Sequence, residues 1–402
     1  MPSKHRSEGE VIGYLAFMGV LLAFGIDSSL PAFDELRPAF GLDPDSNRIT
    51  LIVTLYFIGM AVGQLLYGPL SDQFGRVRAL QVGVAVYCLG AVGAILAPSF
   101  ELLLLSRLVW GLGAAAPGVL RAAVARDLYE GSDMARVVSI MMGVFLMGPV
   151  IAPIVGEGIL AVGSWEWVCA AALVLAAIQL LWTRRFGETL PPELRRPFDL
   201  RSTLVGFRAV SSDTTTLAYT AALTFGFGSF IIFLGSSQPI IDNIYGRGDQ
   251  FVLWFAAAAI LQAIAFFSVN RFIERWGSHR VAITVASTAV LLNLALLALA
   301  VANDGVPTFA TWIALVAVSN ALITLLTPTC YSLALEPMGA LAGTASAVMG
   351  FTSTLGGSLL AGVVNTMIDN TVTPMALGYV VYGSLAVAAL RWAGRSSPAP
   401  TG

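Results

Sequence analysis

Twelve stretches of this 402-residue chain are each long and apolar enough to cross a lipid bilayer, and that repetition restricts the fold more than any other feature. A hydrocarbon core of about 30 Å takes roughly 20 apolar residues of helix. Runs of that kind fall near 11–31, 48–70, 79–98, 101–123, 136–160 and 164–183, and again near 217–238, 250–271, 279–302, 308–331, 340–367 and 373–392. They predict an all-α membrane protein with twelve transmembrane helices. Composition agrees: 57% of residues are hydrophobic and 11% charged, against about 25% charged in soluble chains. A soluble core has no use for that much apolar surface, so the excess faces lipid. The net charge of −2 gives no reason to expect a nucleic-acid partner. Cys88, Cys169 and Cys330 sit in apolar runs without CxxC or Cys/His clustering, so buried thiols are expected rather than disulfides or zinc. The first run lacks an A-x-A-like cleavage site and reads as a retained span.

The order of the runs implies two six-helix halves. Between the sixth and seventh lies "RRFGETLPPELRRPFDLRSTLVGFRAVSSD" (184–213), with six arginines and no spanning run. The expected domains are therefore 1–183, a linker at 184–216, and 217–402. Placing the N-terminus in the cytoplasm puts Lys4, Arg6, Arg76, Arg78, Arg126, Arg136, the linker arginines, Arg271, Arg275, Arg280, Arg391 and Arg395 on the cytoplasmic face. Only Arg37, Arg48 and Arg247 fall outside, which fits the positive-inside rule with both termini cytoplasmic. The halves also echo each other. Asp72, Phe74, Gly75 and Arg78 align with Glu274, Trp276, Gly277 and Arg280 at a constant offset of 202, the parallel-repeat plan of many secondary transporters.

Local motifs carry a family resemblance. "GQLLYGPLSDQFGRVR" (63–78) resembles the signature loop of the major facilitator superfamily, G-x-x-x-D-x-x-G-R-K/R, with Gly68, Asp72, Gly75, Arg76 and Arg78 in its positions. "SRLVWGLG" (106–113) is similar to the fourth-helix motif R-x-x-Q-G-x-G, with Arg107, Gly111 and Gly113 in place and Trp110 where glutamine is usual. "GVFLMGPVIAPIVGEGIL" (143–160) resembles the fifth-helix motif of the superfamily's antiporters, through Gly148, Pro149, Pro153 and Gly156; Glu157 replaces a typical glycine. The "DSSLP" ending of the first helix (27–31), the "RDLYEG" after the fourth and the entrance to the eleventh, 333–362, resemble the Bcr/CflA type of multidrug efflux transporter. The resemblance implies the major facilitator fold, alternating access and drug:proton antiport.

Intramembrane charges are functional candidates because each needs a partner or a purpose. Asp27 lies sixteen residues beyond Val11, about 24 Å along a helix, in the outer third of the bilayer. It reads either as a helix-end acid reaching water or as a carboxylate that exchanges a proton for substrate. Arg107 cannot shed its charge by deprotonation; the resemblance implies that it faces the interior and bears on proton release. An Asp27–Arg107 interaction, direct or through water, is expected in one state of the transport cycle. Arg121 reads as a gating contact or a snorkelling cation, Glu157 as a solvent-reaching acid or a functional one, and Glu336 as solvated. Tyr56, Phe225, Phe227, Phe230, Gln238, Gln262 and Asn320 are candidate substrate contacts, suited to bulky amphipathic or cationic guests. No C-half span holds a mid-membrane acid, so coupling should reside in the N-half.

Other chemistries lack their residues. No Walker-A sequence supports ATP-driven transport. The two histidines, His5 and His279, are expected outside the membrane, leaving no metal site or histidine relay, and no nucleophile–base pair suggests an enzyme. The sequence thus predicts a proton-coupled antiporter exporting small amphipathic or drug-like compounds across a bacterial inner membrane. It would act as a monomer in the lipid bilayer with no cofactor, its partners a small-molecule substrate and protons. A proton symporter or facilitator importing a nutrient or metabolite is the alternative.

Overall fold

The computed structural model describes residues 7–197 and 199–396, so Lys4, His5 and Arg6 lie outside the described residues. Among these, twelve helices are long and apolar enough to span a membrane. They are α1 Glu8–Asp27, α2 Asn47–Phe74, α3 Arg76–Ile95, α4 Phe100–Leu128, α5 Arg136–Leu160 and α6 Trp165–Phe186, followed by α7 Thr214–Ile244, α8 Gly248–Trp276, α9 Ser278–Ala302, α10 Phe309–Gly339, α11 Ala342–Met367 and α12 Thr373–Gly394. Polar caps sit where the apolar runs begin. Ser7 accepts from the Glu10 amide at α1, Ser99 from Leu102 at α4 and Asp213 from Thr216 at α7, each pairing one orphan helix donor.

Several helices outrun their apolar runs. α2, α4 and α7 extend four to six residues past the expected ends, because hydropathy marks the lipid-facing length whereas backbone pairing continues beyond it. α1 does the opposite, ending at Asp27 rather than residue 31. Pro31 has no N–H for the Asp27 carbonyl and its ring would crowd that oxygen. The Leu30 amide takes the carbonyl in a tighter turn instead, at 3.3 Å. Two further helices, Phe33–Ala39 and Leu200–Ser212, were not expected; the second folds part of the polar linker, capped by Asp199. α5 is interrupted at Met147–Gly148, where Pro149 follows.

Two glycines give the internal repeat a backbone counterpart. Gly75, ahead of α3, has φ +92°, and Gly277, ahead of α9, has φ +78°, conformations that side chains disfavour. Both therefore form the same sharp helix-to-helix turn, 202 residues apart.

The chain divides into two compact units, Met1–Glu35 with Gly59–Phe198, and Leu36–Ile58 with Asp199–Gly402. The expected linker 184–216 is thus shared between them. In the first unit α3 and α4 approach until backbones touch: a Cβ on Gly90 would stand 2.3 Å from the Trp110 nitrogen, and one on Gly113 2.1 Å from that of Tyr87. Small residues at such crossings let dispersion replace the hydrophobic drive that lipid removes. α1 packs against α4, α5 and α6. In the second unit α7 packs on α11 and α12, α9 on α12 and α8 on α10. Cys169 and Cys330 are buried and Cys88 is half-buried, all three free.

Candidate functional site

The C-terminal end of α1 is held from two sides within the first unit. Asp27 is only 3% exposed, so an acid standing in water does not describe it in this state. Arg107 on α4, 2% exposed, donates from Nη2 to the Gly25 carbonyl at 3.0 Å and to Ser29 Oγ at 3.3 Å. These partners lie two residues to either side of Asp27. The contacts that dock Arg107 therefore fall on the backbone and hydroxyl flanking the acid, and among the described residues no ion pair joins the two charges in this state. Trp110, in the position where the motif usually has glutamine, puts its ring 4.8 Å from the Arg107 Cζ and meets Tyr87 edge-on at 5.4 Å. An aromatic face thus stands in for the usual polar neighbour.

α5 supplies the opposite wall through the antiporter-like motif. A Cβ on Gly148 would lie 2.4 Å from the Ala23 Cβ, and one on Gly156 would lie 2.3 Å from the Ser28 carbonyl oxygen. Pro153 is buried beside them while Pro149 starts the segment after the break. The two motif glycines are places where α5 comes close to α1, Gly156 beside Ser28, which follows Asp27. Glu157 is exposed.

At the other end of this unit the signature loop is tied into a polar network. Arg76 pairs bidentately with Asp127 at the end of α4, with Nε to Oδ2 at 2.9 Å and Nη2 to Oδ1 at 3.2 Å. Its Nη1 reaches Asp72 and Ser71. Glu188, beyond α6, accepts from the Arg76 amide at 2.8 Å and the Val77 amide at 3.3 Å, capping α3, where a carboxylate also meets the helix dipole. Thr189 Oγ1 donates to Asp127 at 2.8 Å, and the Arg196 amide to the Asp72 carbonyl at 3.0 Å. Gly75 has Glu188 where its Cβ would stand, whereas Gly68 has open space and Arg78 is exposed. Sequence reasoning missed Asp127 and Glu188; the only signals were the acid in "RDLYEG" and the "GETL" that opens the linker.

The substrate candidates lie in the second unit. Tyr56 is fully buried against Phe57, which meets Phe227 edge-on at 5.7 Å; Phe227 lies 5.9 Å from Phe230, and Phe225 stacks on Tyr382 at 6.4 Å. The three α7 phenylalanines are half-buried. The amides are engaged elsewhere. Gln238 lies between Arg37, buried on the short helix Phe33–Ala39, and Asp242, both at 3.5 Å. Gln262 accepts from Thr324 Oγ1 at 3.3 Å, and Asn320 donates to the Tyr379 hydroxyl at 2.9 Å. These bonds tie α8, α10 and α12 together. Asn365 on α11, fully buried with neither side-chain polar atom hydrogen-bonded, was not anticipated. Among the described residues no three His, Cys, Asp or Glu side chains group to hold a metal.

A family profile described as Major Facilitator Superfamily matches residues 15–361. The chain is 27% identical over 395 residues to an uncharacterized MFS-type transporter, YdgK, of Bacillus subtilis, covering 96% of this chain and 94% of that one. It is 29% identical over 365 residues to a bicyclomycin resistance protein homolog of Haemophilus influenzae, covering 90% of each. Among solved structures, that of a D-xylose-proton symporter matches with a TM-score of 0.75 over 96% of this chain and 98% of the other, at 17% identity, a likeness of fold alone.

Proposed function

The chain belongs to the Major Facilitator Superfamily, a multi-pass membrane transporter and not an enzyme, and from that premise we propose that it exports small amphipathic, drug-like compounds in exchange for protons. The setting is a bacterial inner membrane with both termini cytoplasmic, and the cycle is alternating access. Asp27 carries the proton and Arg107 modulates its release. One observation carries this reading: the helix end bearing Asp27 is clamped between Arg107 and the antiporter-motif glycine Gly156. A carboxyl buried in a wall shared by α1, α4 and α5 changes its surroundings whenever those helices shift, which is what coupling a proton to a conformational change requires. The name of the Haemophilus relative supports an efflux role. Inward proton flow supplies the work, about 2.3 kcal/mol per charge at 100 mV.

The test compares deletion and overexpression strains across a panel of toxic amphipathic compounds. Raised tolerance on overexpression, reversed by Asp27→Asn, is the expected result. Unchanged tolerance to every compound counts against export, and tolerance that falls points to import.

A further inference from the structure

A second cation, half-buried but with its Nη1 fully enclosed, lies on the same face of α4 as Arg107, and nothing in the coupling scheme uses it. Arg121 is fourteen residues further along, close to four helical turns at about 3.6 residues each, so both side chains point toward α1. Between them, a Cβ on Gly118 would meet Leu22 of α1 at 3.5 Å. The Arg121 guanidinium rests on the Phe145 ring of α5, Cζ 4.6 Å from its centroid. Its Nη1 lies so close to Gly19 of α1 that a Cβ there would stand 3.1 Å away. That nitrogen is buried and has no hydrogen-bond acceptor, and among the described residues no carboxylate pairs with the side chain. The end of α4 at Leu128 is seven residues away, about 10 Å, and the buried Nη1 faces Gly19 of α1.

A guanidinium inside a membrane span that keeps its charge and lacks a counter-charge is costly unless a ligand supplies one. Arg107 is occupied by Gly25 and Ser29. Asp27 is eight residues from Gly19 along α1, about 12 Å, so its carboxyl is too distant to pair with Arg121. We propose that Arg121 binds an anionic group, a carboxylate or comparable oxyanion, on the amphipathic compounds this transporter moves. The guanidinium presents paired donors in the geometry a carboxylate accepts, and Phe145 offers an aromatic surface for the adjoining apolar body. The site therefore selects amphipathic acids and zwitterions over purely cationic compounds, the reverse of a cation-attracting cavity. This rests on the export reading for its physiological meaning but not for its test.

Equilibrium dialysis of the purified full-length protein in detergent, with 2-naphthoate, its methyl ester and 2-naphthylmethylammonium as probes, decides it. Saturable binding of the naphthoate, at least tenfold tighter than the ester or the ammonium, is expected. Arg121→Gln should weaken the naphthoate at least tenfold and leave the ester unchanged, and Arg121→Lys should retain part of the preference. Gly19→Val, which crowds Nη1 while keeping the charge, should also weaken the acid selectively, and it serves if Arg121→Gln fails to fold. Absent or non-saturable naphthoate binding, or binding indifferent to both Arg121→Gln and Gly19→Val, overturns the proposal. Proton-coupled export of neutral or cationic compounds that ignores Arg121 also overturns it while leaving export standing. Selective naphthoate binding without export of any compound would remove the export reading alone.

Discussion

In the proposed coupling, Asp27 and Arg107 divide the work by what each can give up. The carboxyl can hold or release a proton; the guanidinium cannot, so its leverage lies in where it docks. Arg107 bonds both sides of the acid's backbone position and thereby fixes how the helix end presents Asp27. Asp27→Asn keeps shape and burial and removes the titratable group. The variant should fold with a melting temperature within a few degrees of the parent and lose proton-coupled transport at least tenfold. Arg107→Gln should lose both the docking bonds and the contact with Trp110. Because the two residues act on one helix end, the double variant should be no worse than the poorer single one, a coupling on the order of 0.5–3 kcal/mol by transport rate. Strictly additive losses would show that the charges work independently.

At the scale of elements, the contact of α5 on α1 makes a sharp prediction. Gly156→Ala puts a methyl group 2.3 Å from the Ser28 carbonyl, whereas Gly158 has nothing within 4 Å of its Cβ position. Overpacking of this kind costs about 1–3 kcal/mol, so Gly156→Ala should lower the melting temperature and impair transport. Gly158→Ala should stay within about 0.5 kcal/mol of the parent. Equal behaviour of the two would deny that the motif works by helix contact. The loop end invites a different measurement. Glu188→Ala removes the acceptor of two α3 amides, each bond worth about 1 kcal/mol or more with a charged acceptor. Hydrogen exchange at Arg76 and Val77 should quicken while mid-helix amides stay protected. Uniform exchange across α3 would mean the cap is dispensable.

Across the whole molecule, what the sequence disclosed follows the range of the interactions involved. Span number and approximate position depend on local hydropathy, so α5 and α9 fall where the apolar runs do. The turn glycines Gly75 and Gly277 were legible because backbone demands recur at one offset. Contacts between residues far apart in the chain were not. Glu188 meets Arg76 across 112 positions and Arg37 meets Gln238 across 201, and no local pattern announces either. The placement of Asp27 was half legible: its position at the end of the first helix came from counting, but its burial depends on the packing of α4 and α5. For the same reason Arg121 read as a snorkelling or gating residue, since only packing reveals which way a long side chain turns.

The central claim, that a proton on Asp27 is exchanged for an exported compound, is tested most directly in everted membrane vesicles energised to an acidic interior and monitored with a pH-sensitive dye. Adding a compound identified by the tolerance screen should release protons from vesicles carrying the parent protein, and not from vesicles carrying Asp27→Asn at equal abundance. Proton release that persists in the Asp27→Asn vesicles would contradict the account, as would proton uptake with the compound in the parent.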